Sequence, residues 1–156
     1  MNAPQPNPTI INCLPQPTAV LRERVPMNAL TEFFGRAFTI VMAAAGAQNV
    51  QLTGPPFALY RGTPTQTVAV EAGFPISGAF QDKDGVTAGA LPETQAFEAV
   101  HMGSYDTLES TYAAIQERMK AQGFTPSETM WEFYLSGPGD EPDPLKWQTR
   151  VVWPIA

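Results

Sequence analysis

The sequence predicts an α+β fold built from a duplicated βαββ unit, its strands forming an antiparallel sheet with two long helices on one face. Three observations predict it. Two stretches with the apolar spacing of a helix each follow a strand and precede two more. Tyr60 and Tyr134 stand 74 residues apart and Phe74-Pro75-Ile76 and Trp153-Pro154-Ile155 stand 79 apart, the near-constant spacing of an internal duplication. Placing the halves on one another sets Phe57 and Leu59 over Trp131 and Phe133, and Ala58 and Tyr60 over Glu132 and Tyr134.

Residues 1–8 are polar and proline-rich and read as a flexible lead-in, leaving 9–156 as one domain with halves at about 9–80 and 93–156. Thr9 to Val25 reads as strand, broken at Leu14-Pro15. Leu30, Phe33, Phe34, Ala37, Val41 and Ala44 then fall on one helical face, so a helix is expected from Met27 to Ala45 with Gly46 at its end. Gly54-Pro55-Pro56 turns the chain into a short strand, Phe57 to Tyr60. Gln66 to Ala72 alternates as its partner, and Gly73-Phe74-Pro75 is expected to end that hairpin. Gln81 to Leu91 reads as a Gly- and Asp-containing connector.

The pattern then restarts. Gln95 to Met102 is a strand, and Gly103-Ser104 opens a helix carrying Leu108, Thr111, Tyr112, Ile115 and Met119 on one face, closed by Gln122-Gly123. The central strand is 129–135. Gly137 to Pro144 forms a rigid acidic loop, and Trp147 to Trp153 is the last strand.

A length of 156 residues suits one ordinary domain that needs no covalent staple. A single cysteine, Cys13, excludes an internal disulfide and a cysteine-rich zinc site, and reads as a buried inert thiol. The start has no basic n-region and no window approaches the ~18 apolar residues of a span, so a cytoplasmic location and no membrane partner are expected. A net charge of −6 repels phosphate backbones, which argues against direct nucleic-acid binding and mildly favours neutral or cationic ligands.

Met130-Trp131-Glu132-Phe133-Tyr134-Leu135 holds one carboxylate inside an apolar strand. Alternation puts Trp131, Phe133 and Leu135 on one side and Met130, Glu132 and Tyr134 on the other. The odd-numbered side is expected to meet the helices and the even-numbered side to face away from them. If two such sheets meet about a pseudo-twofold axis, Tyr60, Glu132 and Tyr134 line a ligand groove. Strand-edge exposure or a salt bridge would account for Glu132 equally well.

The series Thr18-Ala19-Val20-Leu21-Arg22, Gly54-Pro55-Pro56-Phe57-Ala58-Leu59-Tyr60, Val70-Glu71-Ala72-Gly73-Phe74-Pro75, Leu91-Pro92, His101-Met102-Gly103-Ser104-Tyr105, Trp131-Glu132-Phe133-Tyr134 and Thr149-Arg150-Val151-Val152-Trp153-Pro154 resembles the GyrI-like small-molecule-binding domains. These also form the effector-binding modules of multidrug-responsive MerR-type and AraC-type regulators. The resemblance covers residues 9 to 156. It implies a duplicated βαββ fold with a pocket between the halves, Glu132 as the acid at the pocket floor and Tyr60 in its aromatic wall. No helix-turn-helix precedes residue 9, so a DNA-binding regulator is not expected, and Ser104 stands where the family commonly has Pro.

Three functions follow as expectations. The first is a standalone binder of flat apolar or cationic organic molecules, with Tyr60, Tyr105, Glu132, Tyr134, Phe38 and Trp153 around the ligand; plain core packing also accounts for Phe38, Tyr105 and Trp153. The second, allowed by the resemblance, is a hydrolase of strained cyclopropane-bearing electrophiles. There Glu132 is the general base and Tyr134 or Tyr60 its helper. The third is a protein-interaction role resembling gyrase inhibition, through the loop Asp140-Glu141-Pro142-Asp143. His101, the single histidine, offers no Ser-His-Asp arrangement, and a structural role is preferred to a haem-ligand role that distant relatives would suggest. No metal or other cofactor is expected.

Overall fold

In chain order the strands and helices are β1 (Thr9–Cys13), β2 (Gln16–Pro26), α1 (Leu30–Ala47), β3 (Gln51–Leu52), β4 (Phe57–Arg61), β5 (Thr67–Ser77), β6 (Val86–Leu91), β7 (Thr94–Met102), α2 (Leu108–Ala121), β8 (Thr129–Ser136) and β9 (Gln148–Pro154). This computed structural model describes residues 7–137 and 139–156, so residues 1–6 of the expected lead-in lie outside the described residues. Asn7 and Pro8 are held in place: Arg118 of α2 donates to the Pro8 carbonyl at 3.2 Å and to Asn7 Oδ1 at 3.3 Å.

The chain divides into two compact units, Leu14–Glu93 and Thr94–Ala156, the latter joined by the stretch that ends at Cys13. In the first unit β5 pairs antiparallel with β2 and β4, and β6 pairs with the other side of β2. In the second, β9 pairs with β7 and β8, and β1 pairs with the other side of β7. Each unit is therefore a βαββ core with an added edge strand, the first unit also having the two-residue β3 paired with the end of β5, and the α+β class with its duplication is as the sequence predicts.

The edge strands depart from the sequence reading. Thr9–Cys13 was expected at the head of the first half, yet it precedes β2 and pairs with β7. The expected connector Gln81–Leu91 contains β6, which precedes β7 and pairs with β2. What makes that strand is the Asp84-Gly85 pair. Both residues take positive φ, 55° and 84°, as a tight hairpin turn requires, and Lys83 and Val86 exchange backbone hydrogen bonds across it.

The strand β5 also runs past its expected end, through Gly73 and Pro75 to Ser77. Pro75 lies opposite Thr18 in that ladder. Gly73 lies opposite Val20, where a Cβ would overlap the Ala19 carbonyl oxygen. Glycine is required there for close backbone approach rather than for a turn.

Helix α1 packs across β2 and β5, and α2 across β7 and β9. On α1 the periodic residues Phe33, Ala37, Val41 and Ala44 are buried, as are Leu108, Thr111, Ile115 and Met119 on α2. Complete burial of a side chain such as Phe33 contributes about 1.5–3 kcal/mol. By length and composition alone Met27–Ala47 also suffices to cross a membrane, which the sequence reading did not anticipate. The helix nonetheless carries Glu32 and Arg36, and Arg36 pairs with Glu23 of β2.

Within each unit the helix lies on the same face of its strands. Leu21, Ala72 and Ala58 form one cross-strand row, and Leu21 packs against the cluster that holds Ala19, Phe74 and Val41 of α1. In the other unit the row His101, Thr149, Tyr134 carries His101 to Thr111 of α2. The even-numbered side of β4 and β8 therefore meets the helix, the reverse of the expectation. Trp131, Glu132 and Phe133 are all buried, so hydrophobicity could not distinguish the two faces of β8.

Candidate functional site

Strand alternation in β8 places Glu132 and Tyr134 on one face, and α2 brings Tyr112 over that face. Glu132 is only 2 % exposed. Its carboxylate accepts two hydrogen bonds, from Tyr112 Oη to Oε2 at 2.6 Å and from Tyr134 Oη to Oε1 at 2.9 Å. A buried carboxylate without such donors would be strongly destabilising, so these two hydroxyls help to hold an acid in this apolar strand. Beyond Tyr134 the ladder shifts register before Ser136. Bulges of this kind re-aim side chains next to functional sites.

Further aromatic rings pack against the two phenols that hold the acid. Tyr105 meets Tyr134 edge-on at 5.9 Å between centroids, and Trp147 lies against Tyr105 at 5.2 Å. On the other side Trp153 meets Tyr112 edge-on at 6.0 Å. Tyr105 is 39 % exposed. Burial raises its phenol above the ordinary tyrosine value, with the charges of Glu132 and Asp140 adding to the effect. Gly137 makes room for that phenol, since a Cβ there would come within 2.7 Å of its oxygen.

Beside this cluster His101 is fully engaged. Its Nδ1 lies 2.7 Å from the Thr111 hydroxyl, and its Nε2 lies 3.0 Å from both the Ser104 carbonyl and the Thr107 hydroxyl. A carbonyl only accepts, so Nε2 carries a proton. The histidine thus ties β7 to the start of α2, the structural role expected for it. Thr149, between His101 and Tyr134 in the sheet, is 0 % exposed and its hydroxyl has no hydrogen-bond partner.

Of the residues singled out from the sequence, Glu132, Tyr134, Tyr105 and Trp153 come together in one unit. Phe38 belongs to the other, stacked on Phe34 and edge-on to Phe74 at 5.8 Å against its apolar cluster. Tyr60 is in that unit too, opposite Val70. Tyr112, Trp147 and Thr149 were not anticipated as site residues. The repeat contained the signal for Tyr112: the offset of 74 residues that relates Tyr60 to Tyr134 also relates Phe38 to Tyr112. The contact recurs as well, since Phe38 meets Phe74 as Tyr112 meets Trp153.

The loop acids have local work. Asp143 accepts from the Leu145 amide at 3.0 Å to cap a 3-10 turn, and the Glu141 carbonyl accepts from the Trp147 indole at 2.7 Å. Cys13 is half-buried, and burial raises its thiol above the usual value, with Arg150 opposing and Glu98 reinforcing the shift. Among the described residues, no three His, Cys, Asp or Glu side chains are grouped so as to hold a metal ion.

The fold is thus two βαββ units, one of which carries a buried acid beside a cluster of aromatic side chains. The chain belongs to the GyrI-like small-molecule-binding domain family, whose model matches residues 6–156. No curated protein matches it. Among solved structures it is similar to the C-terminal domain of EcmrR, at 18% identity and a TM-score of 0.83 over 97% of this chain and 98% of that one. It spans 57% of the longer EcmrR chain in its complex with DNA, at 16% identity and a TM-score of 0.85 over 97% of this chain. A hydrolase from Listeria innocua is similar at 14% identity and a TM-score of 0.66, over 99% of this chain and 94% of that one. SAV2435 bound to tetraphenylphosphonium is similar at 8% identity and a TM-score of 0.65, over 96% of this chain and 94% of that one. Likeness at these identities establishes a shared fold.

Proposed function

We propose that this chain is a cytoplasmic binder of flat apolar or cationic organic molecules, using Glu132 as a counter-charge and the rings of Tyr105, Tyr112, Tyr134, Trp147 and Trp153 as its surroundings. Nucleic acid and membranes are not its direct partners. The observation that carries this reading is the buried Glu132 carboxylate, which accepts from the hydroxyls of Tyr112 and Tyr134 beside a cluster of further aromatic rings. A cation offers that carboxylate a stronger partner than a hydroxyl does, and each aromatic face contributes roughly 0.5–2 kcal/mol toward a desolvated cation. SAV2435, of the same fold, is bound to tetraphenylphosphonium, an apolar organic cation though not a flat one.

The test is a thermal-shift panel of dyes, cationic drugs and neutral compounds of equal size, with mass spectrometry on each well that shifts. Stabilisation by cations recovered unchanged is the expected outcome. A panel in which no cation raises the melting temperature contradicts it.

A second reading is hydrolysis. It is favoured by the short Tyr112–Glu132 contact, which pairs a carboxylate with a hydroxyl at 2.6 Å, and by the hydrolase among the proteins of this fold. Glu132 would act as general base on a water while Tyr134 or Tyr112 bonds the developing charge. Its signature in the same panel is a strained electrophile recovered with the mass of one added water, a product absent with Glu132→Gln.

A further inference from the structure

Thr149 is the polar group in the neighbourhood of Glu132 for which the protein supplies no partner. Its side chain points to the helix face, in the cross-strand row between Tyr134 and His101, and its hydroxyl is completely buried. The oxygen makes no hydrogen bond, and the polar groups near it are bonded to others. Both nitrogens of His101 are taken by Thr111, Ser104 and Thr107, and each oxygen of Glu132 already holds a phenol. Buried hydroxyls are nearly always paired, so an orphan here calls for a partner from outside the chain.

The internal repeat shows that packing alone does not require the hydroxyl. Val70 occupies the same place in the other unit, paired with Tyr60 as Thr149 is with Tyr134, and is equally buried. Valine has the shape of threonine without its oxygen. Three corresponding positions differ in the same sense: Phe38, Ala58 and Val70 in one unit, Tyr112, Glu132 and Thr149 in the other. Two of those polar replacements form the bonded pair at the acid. The third is Thr149.

We infer that Thr149 is a specificity-determining residue of the Glu132 site, and that the natural ligand is an organic cation bearing a hydroxyl or amine that hydrogen-bonds to the Thr149 oxygen. This rests on the binding function proposed above. Thr149 lies one strand across from Glu132 and two residues along from Val151, the residue opposite Glu132. Such diagonal neighbours are roughly 7–8 Å apart, about the breadth of one aromatic ring with its substituent. Tyr134 couples the two positions. It is the residue opposite Thr149, and its hydroxyl is the one that a cation at Oε1 of Glu132 replaces.

The test uses two probes that differ by one oxygen, tetraphenylphosphonium and (4-hydroxyphenyl)triphenylphosphonium, titrated calorimetrically into the wild type, Thr149→Val and Thr149→Ser. The wild type should prefer the hydroxylated cation by about tenfold. Thr149→Val should bind tetraphenylphosphonium within about twofold of the wild type and lose the preference, and Thr149→Ser should keep it. A preference that survives in Thr149→Val, or none in the wild type, overturns the inference while leaving cation binding intact. If neither cation binds the wild type, the binding function itself fails and the inference fails with it.

Discussion

Tyr112 Oη donates to Glu132 Oε2 at 2.6 Å, joining helix α2 to the centre of strand β8. With the Tyr134 bond to Oε1 at 2.9 Å, it makes the acid a bridge between two phenols, one on a helix and one on its own strand. Removing either hydroxyl leaves a buried carboxylate short of a donor. Tyr112→Phe and Tyr134→Phe should each destabilise the protein by about 1–3 kcal/mol. Because both act on one group, the double variant should depart from additivity by at least about 0.5 kcal/mol. Urea denaturation of the three variants measures this, and strict additivity would show that the two phenols act separately.

Gly73 and Gly35 predict opposite outcomes for the same substitution. Gly73→Ala drives a methyl group into the Ala19 carbonyl, a backbone atom that cannot swing aside, and should cost about 3 kcal/mol or more. At Gly35, inside α1, nothing lies within 4 Å of the added atom. Alanine there should stabilise by about 0.5–1 kcal/mol. Melting temperatures that fall for the first and rise for the second would bear out β5 as a continuous strand through Gly73.

Tyr105 predicts the alkaline behaviour. Its folded-state phenol is raised above the unfolded value, first by burial and then by Glu132 and Asp140. A raised value means that the folded protein holds the proton more tightly. This contribution is fully present below the ordinary tyrosine value of 10.0 and is lost as pH rises through the folded-state value. Tyr105→Phe should therefore flatten the decline of stability above about pH 10 and leave its slope near neutrality unchanged. An unchanged alkaline limb would mean that the phenol is not shielded as its burial indicates.

The duplication was legible because it lies in spacing, which a sequence displays directly: the Tyr60–Tyr134 and Phe74–Trp153 offsets describe elements that superpose in their strand registers. The edge strands were hidden for different reasons. β6 is a short strand made mostly of small residues, Val86 to Leu91, whose strongest sign is the Asp84-Gly85 turn, and no local feature of Thr9–Cys13 says that it pairs with a strand some 85 residues later in the chain. Glu132 could be found as an anomaly in an apolar run. Its orientation could not, because both faces of β8 are buried and only Tyr112 and Thr111, arriving from α2, reveal which one the helix covers. Thr149 gave no signal, since a threonine in a strand is unremarkable until its hydroxyl is seen to lack a partner.

The central claim, that Glu132 is a counter-charge for an organic cation, is tested most directly by calorimetric titration of tetraphenylphosphonium and of neutral triphenylphosphine oxide into the wild type and Glu132→Gln. The account predicts that the substitution weakens the phosphonium by about 1.5–3 kcal/mol, the contribution of a hydrogen-bonded or charge-paired ionic group, and leaves the neutral compound within about 0.5 kcal/mol. Equal losses for the two compounds, or none for either, would contradict it.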